Sequence, residues 1–386
     1  MKKIHTRYLY LILLLFLVSI PGISQPPRGP WVISPQVHPD KTVTFQYLAP
    51  EANEVKLDAQ FQKGLVNMTK GEHGIWSVTV GPVEPDIYPY SFRVDGITVM
   101  DPANELFFPN ERFKASLVDI PGDKPLIHAM QDVPHGTVSY EYYPSVEGTT
   151  GSLVVYTPPG YENNPNRKYP VFYLISGTTD TEETFYKVGR VNFILDNLIA
   201  QGKANPMIIV MPYGNLAAQV AAQKGEAKPG DPMGRESSEA VRRSKQFEDD
   251  LMNNVIPYID KTYRTLSKSE GRAIGGFSRG GGQTLRVAFG NMDKFGYVCC
   301  YSAYLSQEEI ETNYKYLVEN PKRTNKMFKL LWVSVGNEDF LYNQTVEFID
   351  YLKSKKVNYK SLITPGGHTW MNVRDYVAET SQLLFK

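Results

Sequence analysis

Residues 272–285 read Arg272-Ala273-Ile274-Gly275-Gly276-Phe277-Ser278-Arg279-Gly280-Gly281-Gly282-Gln283-Thr284-Leu285. A short apolar run meets a Gly-x-Ser-x-Gly turn, and a glycine-rich helix start follows. Such a turn lifts a serine hydroxyl clear of a sheet on strained backbone, the nucleophile-elbow pattern. Side chains at positions 276 and 280 would collide with the adjoining strand and helix, so both are glycine. Gly-x-Ser-x-Gly alone recurs by chance in any long chain. Its weight here comes from its flanks and from the partners further along.

The flanks repeat a strand–helix rhythm. Gly151–Thr157, Val171–Ile175, Met207–Met211, the run before Ser278, Leu330–Val335 and Tyr359–Ile363 are apolar enough for buried strands. Between them, Val191, Ile194, Leu195, Leu198 and Ile199 recur at helical spacing, as do Phe247, Leu251, Val255, Tyr258 and Ile259, and then Val346, Ile349 and Leu352. Strands covered on both faces and alternating with helices predict a three-layer α/β domain with a mostly parallel sheet, over residues 136–386. The stretch Asn215–Ser244 breaks the rhythm and is expected to be either a lid at a cleft rim or a surface loop.

Residues 26–120 follow another rule. Thr42–Tyr47, Val55–Asp58, Trp76–Val80 and Tyr88–Val94 alternate apolar with polar, and turn residues such as Val94-Asp95-Gly96 separate them. This predicts a small all-β sandwich ahead of the α/β domain. Residues 121–135, opening with Pro121-Gly122-Asp123-Lys124-Pro125, form the expected linker.

Residues 1–24 have the pattern of an export signal. Lys2, Lys3 and Arg7 precede a nearly unbroken apolar run from Leu9 to Ile20, and Pro21-Gly22-Ile23-Ser24 ends it. The run is short for a membrane span. The expected product is exported, periplasmic or secreted, without a membrane anchor. The 41 basic and 41 acidic residues balance, which gives nucleic acid no electrostatic footprint. The cysteines are the adjacent Cys299 and Cys300, between Val298 and Tyr301. They are expected in a buried strand as small apolar side chains, so the core, not disulfides, must hold the fold. No metal-ligand spacing is visible.

A serine hydroxyl needs a base, and the base needs a group to orient it. After residue 136 the chain has a single histidine, His368, in the glycine-rich stretch Thr364-Pro365-Gly366-Gly367-His368-Thr369-Trp370. The orienting carboxylate is expected in Gly336-Asn337-Glu338-Asp339-Phe340, just past a strong strand, with Asp339 preferred to Glu338. The chain order Ser, Asp, His is that of α/β-hydrolases. Oxyanion donors are expected from the backbone of Arg279 and from the loop Ser176-Gly177-Thr178-Thr179, at Thr178 or Gly177. Arg279 places a cation either beside the cleft or against a nearby carboxylate. Trp370 lines an acyl pocket or packs on the last helix. Trp31 and Trp76 are open to sugar stacking or to core packing.

With these residues assembled, the chain resembles carbohydrate esterase family 1, the feruloyl-esterase and enterochelin-esterase-like hydrolases. In the first module the likeness rests on Ser34-Pro35-Gln36-Val37-His38-Pro39-Asp40, Glu84-Pro85-Asp86-Ile87-Tyr88 and Val99-Met100-Asp101-Pro102-Ala103-Asn104. In the second it rests on Tyr156-Thr157-Pro158-Pro159-Gly160-Tyr161, Leu195–Ile199, Ile209–Pro212 and above all the Ser278 stretch. The resemblance implies an α/β-hydrolase three-layer sandwich behind an Ig-like, early-set module similar to glycogen-binding modules. It implies Ser278 as nucleophile, Asp339 as acid and His368 as base, with no metal or organic cofactor. The chain departs from the family at Ser176, where His is usual, and at Arg279, where Met is usual.

The implied activity is an exported serine esterase that removes feruloyl or acetyl groups from an acylated plant-wall polysaccharide such as xylan. Two other readings stay open. One is a siderophore esterase or acyltransferase using the same machinery. The other is a glycan-binding protein of hydrolase fold without turnover.

Overall fold

The structure, a computed structural model, describes residues 30–225 and 237–386. The expected leader, residues 1–24, lies outside the described residues, as do positions 226–236 of the 215–244 excursion.

The described part of that excursion is helical on both sides, over Leu216–Gln223 and Ser237–Asp250. Three sheets occur among the described residues, with four, five and eight strands.

The eight-stranded sheet is built from β1 (Thr137–Pro144), β2 (Thr150–Thr157), β3 (Val171–Ile175), β4 (Ile208–Pro212), β5 (Arg272–Phe277), β6 (Tyr297–Tyr301), β7 (Leu330–Gly336) and β8 (Lys360–Thr364). Their spatial order is β1-β2-β4-β3-β5-β6-β7-β8. The β1–β2 and β2–β4 pairs are antiparallel and the rest are parallel. Sequence patterning misses β1. It is an edge strand with Tyr140 and Tyr142 exposed, so it carries no buried run for periodicity to detect.

Alternation within the strands makes the three layers. Tyr173, Ile175, Ile274 and Cys300 face one apolar cluster, with α1 (Arg279–Gly290) and the helix Tyr342–Ser354. Phe172, Leu174, Ala273 and Cys299 face the other, with the helix Val191–Ala200 and α2 (Trp370–Ser381). Full burial of a side chain such as Phe172 contributes about 2–3 kcal/mol. Cys299 and Cys300 are free thiols in β6 and point to opposite faces. Burial pushes the Cys299 thiol up to about 12.

The two smaller sheets lie between Gln36 and Asp119 and pack face to face. Val43 and Phe45 from one meet Leu57, Tyr90 and Phe92 from the other. Val55, Leu57 and Ala59 are buried while Asp58 between them is exposed, as the period-two pattern requires. Trp76 is a core residue at 7% exposure, its indole donating to the Ala49 carbonyl, whereas Trp31 is 85% exposed. The 121–135 stretch packs on the larger sheet's helices, because Asn197 donates to the carbonyls of Ile127 and Ala129. Beneath it, Arg374 of α2 is buried against Asp86 and the Ile87 carbonyl.

Candidate active site

The parallel register fixes where the strands end. Ile175 pairs with Gly276, Phe277 with Tyr301, and Gly336 with Thr364. The loops that leave β3, β5, β7 and β8 therefore emerge along one rim. Binding sites in open α/β sheets lie at that carboxyl end.

Ser278 sits at the tip of β5 with φ 57° and ψ −119°, a backbone state that costs energy for any residue bearing a Cβ. Its amide donates to the Tyr301 carbonyl at 2.9 Å. A Cβ at position 280 would lie 2.1 Å from the Ile175 carbonyl oxygen, and one at 276 would lie 2.4 Å from the Gly280 carbonyl. Both glycines are thus required by close backbone approach, as the turn pattern predicts.

Asp339 and His368 come together through another close approach. A Cβ at Gly336 would lie 2.2 Å from the Gly366 carbonyl, and the Glu338 amide donates to that same carbonyl at 2.9 Å. The β7 and β8 exit loops thereby lie side by side. His368 Nδ1 is 2.8 Å from Asp339 Oδ2 and 3.0 Å from Oδ1. Burial pushes the Asp339 carboxyl up, but the hydrogen bonds from His368 and from the Leu341 amide outweigh it and hold the group below its usual range. An ionised carboxylate only accepts, so Nδ1 carries the proton and Nε2 is left as the basic atom. Glu338, the alternative acid, is exposed. The imidazole is gripped between Phe277 and Phe340, with ring centroids 4.6 and 4.5 Å away. Asn372 fastens its loop by donating to the Pro365 carbonyl at 2.7 Å.

Ser278 and His368 line one cavity of about 240 Å³, together with Gly177, Thr178, Phe277 and Trp370. No hydrogen bond joins the Ser278 hydroxyl to the imidazole among the described residues. Trp370, the first residue of α2, lines this cavity and packs edge-on against Phe185 and Phe277. Arg279 Nη2 donates to the Gly177 carbonyl at 2.9 Å, so its side chain ties the helix start to the loop after β3. The first amides of a helix lack intrahelical acceptors, which leaves the start of α1 as a place for anion donors.

Sequence reasoning missed part of this site. Asp180 lies on the cavity, buried, and its carboxyl is pushed up to about 7 by burial against the opposing pull of Asn110, Arg279 and Trp370. Gln60, Pro89, Phe108, Asn110 and Phe113, all from the first 120 residues, also line it. For Phe108 and Asn110 the sequence signal is the aromatic run Phe107-Phe108-Pro109-Asn110.

Residues 148–374 match the family model described as "Putative esterase". An endo-1,4-beta-xylanase/feruloyl esterase of Xylanibacter ruminicola is 27% identical over 376 residues, which is 94% of this chain and 47% of that protein. Endo-1,4-beta-xylanase Y of Acetivibrio thermocellus is 27% identical over 278 residues, 65% of this chain and 23% of that protein. This chain thus spans about half or less of the length of these curated relatives. A mutant feruloyl esterase module from Clostridium thermocellum, complexed with sinapinate, superposes with a TM-score of 0.53 at 25% identity, covering 67% of this chain and 91% of that one. The enterobactin esterase of Shigella flexneri shares the fold across both parts of the chain, with a TM-score of 0.60 at 13% identity over 88% of this chain and 92% of that one. The matched span contains the elbow serine, the buried aspartate and the histidine it holds, and with that span this chain belongs to the Esterase family.

Proposed function

We propose that Ser278, His368 and Asp339 are the nucleophile, base and orienting acid of a feruloyl esterase acting on plant-wall xylan. The observation that carries this reading is the Asp339–His368 pair at 2.8 Å on the rim where Ser278 stands, with Ser278 and His368 on one cavity. His368 Nε2 accepts the Ser278 proton as Oγ attacks the ester carbonyl. The oxyanion is met by the backbone amides of Arg279 and Thr178, with Gly177 the alternative, and each such donor lowers the barrier by about 3 kcal/mol. His368 then protonates the leaving sugar oxygen, and an acyl-enzyme on Ser278 remains. Water, deprotonated by the same imidazole, releases the acid.

The feruloyl assignment is supported by the aromatic lining of the cavity and by a relative whose name joins xylanase and feruloyl esterase. The leader at residues 1–24 supports export, to periplasm or medium. Residues 26–120 and 136–386, joined by 121–135, form the two units of this assignment. The test is release of acid from feruloylated arabinoxylan fragments and from acetylated xylan by the full chain and by Ser278→Ala. Serine-dependent ferulate release is expected, and acetate release alone would replace feruloyl with acetyl.

A further inference from the structure

Part of the cavity wall comes from an arm, residues 106–117, that leaves the N-terminal sandwich and returns to it. Its stem is closed by hydrogen bonds from the Phe108 amide to the Ala115 carbonyl and from the Leu117 amide to the Leu106 carbonyl, both at 2.9 Å. Its tip is an ordered turn. Asn110 Oδ1 accepts from the Arg112 amide at 2.9 Å and from the Phe113 amide at 3.2 Å.

The tip is docked on the loop after β3. Asn110 Nδ2 donates to Asp180 Oδ1 at 2.9 Å, and the Glu111 amide donates to the Thr179 carbonyl at 2.8 Å. Thr184 Oγ1 donates to the Pro109 carbonyl at 3.0 Å. The Glu111 carboxylate accepts from the Tyr213 hydroxyl and from Asn215 in the loop after β4. Phe108, Ala115 and Leu117 share one apolar cluster with Phe172, Phe185 and Trp370. The arm is therefore built into the hydrolase core.

The chemistry of the enclosed space follows from its rings. Phe108 and Phe113 pack edge to face at 4.9 Å, and Phe277 and Trp370 do so at 5.5 Å. All four line the cavity, with the amides of Gln60 and Asn110 beside them. A space of about 240 Å³ takes one ring-sized group and leaves a sugar chain outside. An acetyl group would leave most of the aromatic surface uncovered. A planar aromatic acyl group would cover it and offer ring substituents to the amides.

We propose that this arm is the acyl-selecting wall of the esterase: Phe108 and Phe113 close the cavity around an aromatic acyl group of the hydroxycinnamoyl class, and Asn110 pins the arm to the loop after β3. The inference rests on the Ser278 cavity being the site of reaction.

The test is calorimetric binding of ferulate to the full chain carrying Ser278→Ala. Adding Phe113→Ala, at a ring already 45% exposed and so tolerant of truncation, is expected to weaken binding about tenfold. Phe113→Tyr keeps the ring and is expected to retain binding. Trp31→Ala, on the same sandwich and 85% exposed, is expected to change nothing. Equal affinity in Phe113→Ala and its parent, or no saturable ferulate binding to the parent, overturns the proposal. Arm-dependent binding without Ser278-dependent turnover of the unmutated chain leaves the arm standing and removes the catalytic assignment; turnover with arm-independent binding does the reverse.

Discussion

The Asp339 carboxylate is fully enclosed and sits 2.8 Å from Nδ1 of His368, whose side chain keeps 18% exposure. The carboxylate is shut away from water while the imidazole it holds still lines the cavity. Asp339→Asn keeps the shape and reverses the hydrogen bond, so Nδ1 must accept and Nε2 carries the proton. With the proposed roles, the expected loss in kcat is about 10⁴-fold, as for known triads with this change. Glu338→Gln, at an exposed position, should leave kcat within a factor of two. Steady-state hydrolysis of p-nitrophenyl acetate by both variants checks the pair.

Gly280→Ala is a packing prediction. The added methyl would stand 2.1 Å from the Ile175 carbonyl oxygen, and backbone cannot yield as a flexible side chain can. Overpacking of this kind costs about 1–3 kcal/mol. A urea unfolding midpoint equal to that of the unmutated chain would contradict the close approach.

Arg374 ties α2, the helix that follows His368, to the N-terminal sandwich through Asp86 and the Ile87 carbonyl. Arg374→Ala leaves that carbonyl and a largely buried carboxylate without their partner. The expected destabilisation is about 3–5 kcal/mol, read from urea unfolding.

The same seam gives an acid sensitivity. Burial, and then the Arg374 charge, push His128 down to about 4, with Asp86 pulling the other way and Arg190 adding to the push. The unfolded chain binds this proton near pH 6.5 and the folded chain does not, so stability falls as pH drops from about 6.5 towards 4. His128→Gln should flatten the dependence of the urea midpoint on pH across that window. An unchanged slope would remove His128 from the account.

Asp180 predicts the opposite sign. Its carboxyl is raised to about 7, so the folded state holds a proton that the unfolded state has released above about pH 4. The stabilisation is full below that value and is lost as pH rises through 7. Asp180→Asn cannot ionise and keeps an oxygen for Asn110. Its stability relative to the unmutated chain should therefore increase between pH 5 and pH 8.5, measured by paired denaturant titrations.

The sequence alone determined the α/β sandwich and the β-rich module before it, and it pointed to Ser278, His368, Gly177, Thr178 and Trp370, all of which line the cavity. Those features are local. The apolar runs at Val171–Ile175 and Leu330–Val335 are buried on both faces whatever surrounds them, and the glycines around Ser278 mark a turn that few other residues could make. Strand β1 escaped because its solvent-facing tyrosines carry no buried period. The choice of Asp339 over Glu338 was decided by which carboxylate the crossing of Gly336 and Gly366 turns inward. The arm at 106–117 was decided only by the tertiary structure. Asn110 and Asp180 are 70 residues apart, and their bond exists because two separately patterned units pack against each other. Periodicity records which residues are buried, but it carries no information about which distant buried surfaces meet, and here that meeting forms the wall of the cavity.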